Sequence, residues 1–419
     1  MRFLRRLKRF FAYGVLAVLL LFTVTASAGV PYSGQLRVRN LTRPVEFEYA
    51  AWMVSALLDK ARFAAVDAVR YLDYDGQRQV VFAYLRLVSE MEQVQRSITA
   101  IYSDPTVQNP EQEAAALLDY QAELEELMDR WGPLAEGVIQ SQVREVLDDF
   151  GLSVAGQPIP PPLYKVTPLP LALIVSPREV IRQEADISLL PDLSLDEIVA
   201  LEQRVEQQLN VSALVVPVGG IGVYPTMVQR STNLPWLVET VAHEWTHNYL
   251  TLRPLGMLYY RSGAVRTMNE TAANIAGDEV SLEVLRRYYP EFVPAEPEPE
   301  PPPEEEEPEP PAFDFQAEMH ETRVTTDRLL AEGRVEEAEA YMEARRVFFL
   351  EHGYQIRRLN QAYFAFYGAY ADTPTGAFGE DPVGPRVRQL REASPSLASF
   401  LNTIAWMTSF GDLVAAVGG

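Results

Sequence analysis

Val241-Ala242-His243-Glu244-Trp245-Thr246-His247-Asn248 carries the pattern HExxH near the middle of the chain. In a helix of about 3.6 residues per turn, side chains four apart project from one face, so His243 and His247 point the same way. Two imidazoles so placed offer two corners of a tetrahedral zinc site. Glu244 falls beside them, placed to act on a water rather than on the metal. The flanks predict the helix. Ser231-Thr232-Asn233 supplies N-caps, Pro235 suits a first turn, and Pro254 with Gly256 supplies a stop. The chain has four histidines in all, and two of them form this pair. The competing reading is an amphipathic helix that carries two surface histidines.

A catalytic zinc takes a third protein ligand and keeps a further position open. A histidine further along the pattern, as in HExxHxxGxxH, is excluded: Leu250 stands at the glycine position and Arg253 at the third-histidine position. His320 and His352 lie beyond a long linker and are poor ligands. The remaining choice is a glutamate on a following helix, and Asn269-Glu270-Thr271-Ala272-Ala273 opens a second helical run to about Tyr288.

These two motifs, in this order, resemble those of the gluzincin metallopeptidases, which combine HExxH with a downstream NExxA-like glutamate. The likeness covers roughly residues 210–290. It implies a zincin-like catalytic domain with a small sheet and an active-site helix. It also implies Zn2+ as cofactor on His243, His247 and Glu270, Glu244 as general base, and a peptide or protein substrate. The other reading of Glu270 is a first-turn glutamate favoured by the helix dipole. Asn274 and Asp278 lie one and two turns beyond Glu270 and are the candidates to orient a zinc histidine. Some gluzincins place aspartate where this chain has Asn274. The likeness further implies a Tyr or His from a C-terminal helical part, set over the zinc to stabilise an oxyanion. Tyr363 and Tyr367 share a face with Tyr370 in the aromatic run Leu359–Tyr370 and are the candidates, although such a stripe is usually core.

Around this centre the chain reads as an α+β, mainly helical protein in five segments. Residues 1–30 have Arg2, Arg5, Arg6, Lys8 and Arg9, then an apolar run and Ala26-Ser27-Ala28. That is the pattern of an export signal or, uncut, a single N-terminal membrane anchor with the rest of the chain extracytoplasmic. Residues 31–155 form a helical domain after an extended start, where Gln35-Leu36-Arg37-Val38-Arg39 alternates. Residues 156–293 form the catalytic part. Leu171–Val175 is a short buried strand, Leu195–Leu209 a helix capped by Ser194, and Ala213–Val218 with Ile221–Tyr224 strands about Gly219-Gly220. That glycine pair is either an ordinary hairpin turn or a sheet edge open to an extended substrate backbone. Residues 294–312, almost wholly proline and glutamate, form an extended tether. Residues 313–419 form a C-terminal helical subdomain ending in one packed helix, Leu397–Val417.

Composition narrows the function classes. There is no cysteine, which excludes disulfides, thiolate metal sites, cysteine nucleophiles and a lipobox. The net charge is −22, and residues 1–28 hold five of the 36 Lys/Arg and none of the 58 Asp/Glu, so the remainder is more acidic still. Phosphate binding needs clustered positive charge, so nucleic acid is not an expected partner. The expectation is an extracytoplasmic zinc peptidase. Its rival is an exported helical scaffold or binding module with an inactive zincin-like domain.

Overall fold

The computed structural model describes residues 33–103, 106–294, 313–368 and 382–418. Residues 1–30, nearly all of the Pro/Glu stretch and Tyr370 lie outside them. Among the described residues no helix is long and apolar enough to cross a membrane.

The architecture is α+β and mainly helical. The chain opens with α1 (Ser33–Thr42) and α2 (Tyr49–Val66), then the long pair α3 (Tyr74–Ser103) and α4 (Pro110–Asp149). The extended start expected over residues 31–45 is instead helical, α1 followed by a 3-10 turn at Arg43–Val45. Val38 is buried and Leu41 half-buried on one side of α1, an i, i+3 spacing that fits a helix. Strand alternation would put Leu36 and Val38 on one face, whereas the helix buries Val38 and leaves Leu36 exposed.

Three small sheets follow. A two-stranded ribbon joins β1 (Ser153–Val154) to β2 (Gln157–Pro158). The central sheet has the order β5-β4-β6, all antiparallel, with β4 (Leu171–Pro177) between β5 (Ala185–Leu189) and β6 (Val211–Val216). The third has the order β3-β8-β7. In it β3 (Tyr164–Val166) runs parallel to β8 (Thr226–Val228), and β7 (Gly220–Ile221) pairs antiparallel at the edge. Gly219-Gly220 is thus not a hairpin turn: β6 and β7 belong to different sheets, and the glycines carry the chain across. β4 reads as an unbroken apolar run because both faces are covered. Leu173 and Val175 face α1 and α5 (Leu195–Leu209), while Ala172 and Ile174 face helices from the C-terminal part. Ser194 caps α5 in a capping box with Glu197.

The largest core is built on α6 (Leu234–Thr251), which the short α7 (Pro254–Met257) connects to α8 (Gly263–Tyr288). α6 starts on Asn233, whose side chain accepts from the Trp236 N–H, with Pro235 in the first turn. The base of α3 and α4 packs into this core through Val81, Val138, Val143 and Leu147.

The C-terminal stretch divides in two. α9 (Phe315–Ala331), α10 (Val335–Glu351) and α11 (Gln361–Tyr367) cover the central sheet, the first two separated by Gly333 at φ 73°. α12 (Val383–Ala393), α13 (Leu397–Ile404) and α14 (Phe410–Ala416) pack with α8 instead. The single helix expected over Leu397–Val417 is two. Ser409 caps a new start at Phe410, and Ala405 and Met407 turn inward between the helices.

Candidate metal centre

α6 and α8 lie side by side and antiparallel, and their facing residues form a ladder. His247 meets Asn269 and Glu270, His243 meets Asn274, and Gly277 lies against Glu239 and His243. Small residues on α8 make this close approach available. Ala272, Ala273 and Ala276 are buried, and a Cβ on Gly277 would sit 3.2 Å from His243 Cβ and 3.3 Å from the Glu239 carbonyl oxygen. Because α8 begins at Gly263, Glu270 stands two turns inside it; the first-turn, dipole-stabilised reading does not hold.

Among the described residues, His243, His247 and Glu270 form a group with metal-ligand spacing. The two Nε2 atoms are 3.0 Å apart, and Glu270 Oε2 lies 3.7 Å from His243 Nε2 and 3.4 Å from His247 Nε2. A tetrahedral zinc with bonds of about 2.0–2.2 Å needs its donors about 3.3–3.6 Å apart; the His247–Glu270 separation falls in that range, and the other two lie about 0.1–0.3 Å outside it. Glu270 is 2% exposed and its Oε2 is a buried oxygen with no hydrogen-bond partner. Buried charged oxygens are costly unless paired, and a cation held by the three atoms would pair this one. The residues present fit the group that the motif implies.

The supporting contacts are equally specific. Asn269 Oδ1 accepts from His247 Nδ1 at 2.7 Å, which leaves Nε2 facing Glu270. Asn274 stands beside His243 and favours its charged form. Of the two residues expected to orient the histidines, Asn274 lies next to His243, while Asp278 lies near Glu239, whose pKa burial raises with Asp278 assisting. Asn269 was legible only as part of a motif, without a role. Tyr259, between α7 and α8, donates its hydroxyl to Glu270 Oε1, and its ring stands edge-on to His247 with centroids 6.2 Å apart. Nothing in its local sequence marks it.

Glu244 is 7% exposed. The β7 segment presses onto it: a Cβ on Gly220 would lie 2.5 Å from Glu244 Oε1, and one on Gly222 would lie 3.0 Å from His247 Cβ. Only glycine admits this approach. Asn248 fixes the same segment by donating to the Val223 carbonyl and to Thr226 Oγ1, each at 3.1 Å. On the other side Trp245 Nε1 donates to the Pro160 carbonyl at 2.7 Å, so the helix is held from two directions.

Burial dominates the electrostatics, and the charges then separate the four groups. His243 falls to about 4, because burial and the neighbouring His247 outweigh Glu270. For His247 burial acts downward as well, but the Glu270 carboxylate prevails and raises it to about 9. Glu270 is held at about 2 against burial, chiefly by His247. Burial lifts Glu244 to about 7, with His247 opposing and Glu270 assisting.

Tyr363 and Tyr367, expected over the metal, lie in the cluster that covers the central sheet. Their rings meet at a tilt with centroids 4.5 Å apart, Tyr363 also meets Phe364, and Tyr367 meets Phe366. The aromatic stripe there is core packing, and the hydroxyl that meets the triad is that of Tyr259.

Comparison with known proteins gives no match, whether to a family model, a curated protein or a solved structure. The gluzincin likeness rests on the two sequence motifs.

Proposed function

We propose that the chain is a zinc-dependent hydrolase of peptide bonds with a zincin-like catalytic domain, acting outside the cytoplasm. The observation that carries this reading is the triad: three ligand atoms near tetrahedral spacing, one of them a buried carboxylate oxygen that makes no hydrogen bond, beside the carboxylate of Glu244. His243, His247 and Glu270 would hold the ion. When bound it would supply Lewis acidity toward a carbonyl and lower the pKa of a water.

The chain's own residues do the rest. Asn269 orients the His247 imidazole from behind. Glu244, in a site from which β7 excludes most water, is the group that takes a proton from the attacking water and passes it to the leaving amine. Its neighbours argue for this role rather than a ligand's, since it stands outside the triad yet within electrostatic reach of His247 and Glu270. β7 is an edge strand directly over Glu244, so the Gly220–Ile221 backbone is where an extended substrate would pair. The peptide class of the substrate follows from the gluzincin likeness, and the site outside the cytoplasm follows from residues 1–30.

The test is metal content together with peptide hydrolysis in wild type and Glu244→Gln. Near-stoichiometric zinc in both, with hydrolysis reduced by about 10²–10⁴-fold in the variant, is the expected result. Wild type that folds and takes up no zinc would sink the reading.

A further inference from the structure

Glu270 presents its two oxygens to different surroundings. Oε2 faces the two imidazoles, while Oε1 accepts the hydroxyl of Tyr259. Tyr259 belongs to neither helix that carries the triad. It sits in the turn between α7 and α8 and is itself held: Arg266 Nε donates to its hydroxyl oxygen at 3.2 Å, with the guanidinium carbon 5.8 Å from the ring centre. Arg266 is 7% exposed, a burial that arginine tolerates only when its N–H groups are taken up. Its Nη1 donates to Gln183 Oε1, in the connection between β4 and β5, and to the Ala365 carbonyl in α11 at 3.4 Å. Gln183 is fixed in turn, its Nε2 donating to Asp186 Oδ2 at 3.2 Å. A hydrogen-bonded chain therefore runs from the central sheet and from α11 to one oxygen of one candidate ligand.

A carboxylate is able to grip a metal with one oxygen or with both. A two-oxygen grip fills a position that hydrolysis needs for water or substrate. A donor fixed on Oε1 withdraws that oxygen and turns Oε2 toward the imidazoles. We propose that Tyr259 is a positioning residue which, backed by Arg266 and Gln183, makes Glu270 a one-oxygen ligand and keeps the rest of the ion's coordination free. The proposal rests on the metal reading above and assigns this region a task beyond core packing. It also connects the metal to the C-terminal part of the chain, because the Ala365 carbonyl is one of the groups that hold Arg266 in place.

The experiment uses the full-length protein loaded with Co2+ and, separately, titrated with Zn2+ against a chromophoric chelator. The variants are Tyr259→Phe and Gln183→Ala. For Tyr259→Phe the visible Co2+ bands lose intensity, as a site gaining a fifth donor does, and zinc affinity falls by about 10–100-fold. Gln183→Ala, which touches neither the triad nor Tyr259, shifts both readouts in the same direction by less, and it carries the test if Tyr259→Phe does not fold. A folded Tyr259→Phe protein with the wild-type Co2+ spectrum and zinc affinity overturns the proposal while leaving the metal site intact. Wild type that binds neither ion overturns the metal reading and this inference together.

Discussion

Two antiparallel helix pairs organise the molecule, and they solve the same packing problem in opposite ways. Between α3 and α4 the seam is apolar: Val88, Met91 and Val94 meet Leu124, Met128 and Ala135. Between α6 and α8 the seam mixes alanines and a glycine with His243, His247, Asn269 and Glu270. The first pair needs no outside partner. The second buries an acid beside two imidazoles, at 3.4 Å from His247 and 3.7 Å from His243, with an oxygen that makes no hydrogen bond. One seam is apolar, and the other carries the three groups that could hold an ion.

The largest expected effect lies in the apolar seam. Leu124 is 1% exposed, and Leu124→Ala should cost about 2–5 kcal/mol of stability through lost burial and the cavity left behind. Metal uptake by the folded fraction should not change. Denaturant unfolding and a chelator competition on the same sample check the two halves. A variant that loses metal affinity in its folded state would show that the two seams are coupled.

The polar seam should break differently. Gly277→Ala puts a methyl 3.2 Å from His243 Cβ and 3.3 Å from the Glu239 carbonyl, and a backbone oxygen does not move aside. Overpacking of this kind costs about 1–3 kcal/mol, less than the cavity in the other seam. Here, though, metal affinity should fall with it, because the helices that carry His243 and Glu270 are pushed apart. Unfolding and zinc titration should therefore both shift, and zinc affinity equal to wild type would refute the tight-rung account.

The two seams also differ in how far the sequence reveals them. The spacing of His243, Glu244 and His247 is decided within one helix, so the local period is enough to read it. Glu270 was readable because its motif sits in a second helix. Its depth in that helix was not, since Ser262 and Gly263 give only a weak start signal. Tyr259, Arg266 and Gln183 reach the site through turns and other elements, and no pattern local to any of them encodes that meeting. Tyr363 and Tyr367 show the converse error. A helical stripe of aromatics reads alike whether it faces a cofactor or a sheet, and here the apolar faces of β4 and β6 claimed it. The short alternation at residues 35–39 likewise read as extended where the chain is helical. Helix α5 with its Ser194 cap and strand β4 were legible because each follows a single period with a clean boundary.

The smallest effect concerns protons, and it is the one that only the polar seam can show. In the metal-free chain His247 is raised from 6.5 to about 9, so its pairing stabilises the fold fully below pH 6.5 and is lost as pH rises through about 9. Glu270, lowered from 4.5 to about 2, contributes fully above pH 4.5 and loses its share as pH falls through about 2. The two describe one ion pair, which is therefore strongest between pH 4.5 and 6.5. An ion takes only the neutral imidazole, so zinc must displace the proton on His247 at every pH below about 9, whereas His243, lowered to about 4, has none to give near neutrality. Zinc affinity should then rise by about tenfold, or about 1.4 kcal/mol, for each pH unit between 6 and 8, and level off near 9. Titration calorimetry in buffers of different ionisation enthalpy reads the same quantity as one proton released per ion. A count of two would mean that a second group, His243, Glu244 or a water on the ion, gives up a proton as well. A count of zero would mean that the His247–Glu270 pair does not form, and the polar seam would lose the feature that sets it apart from the apolar one.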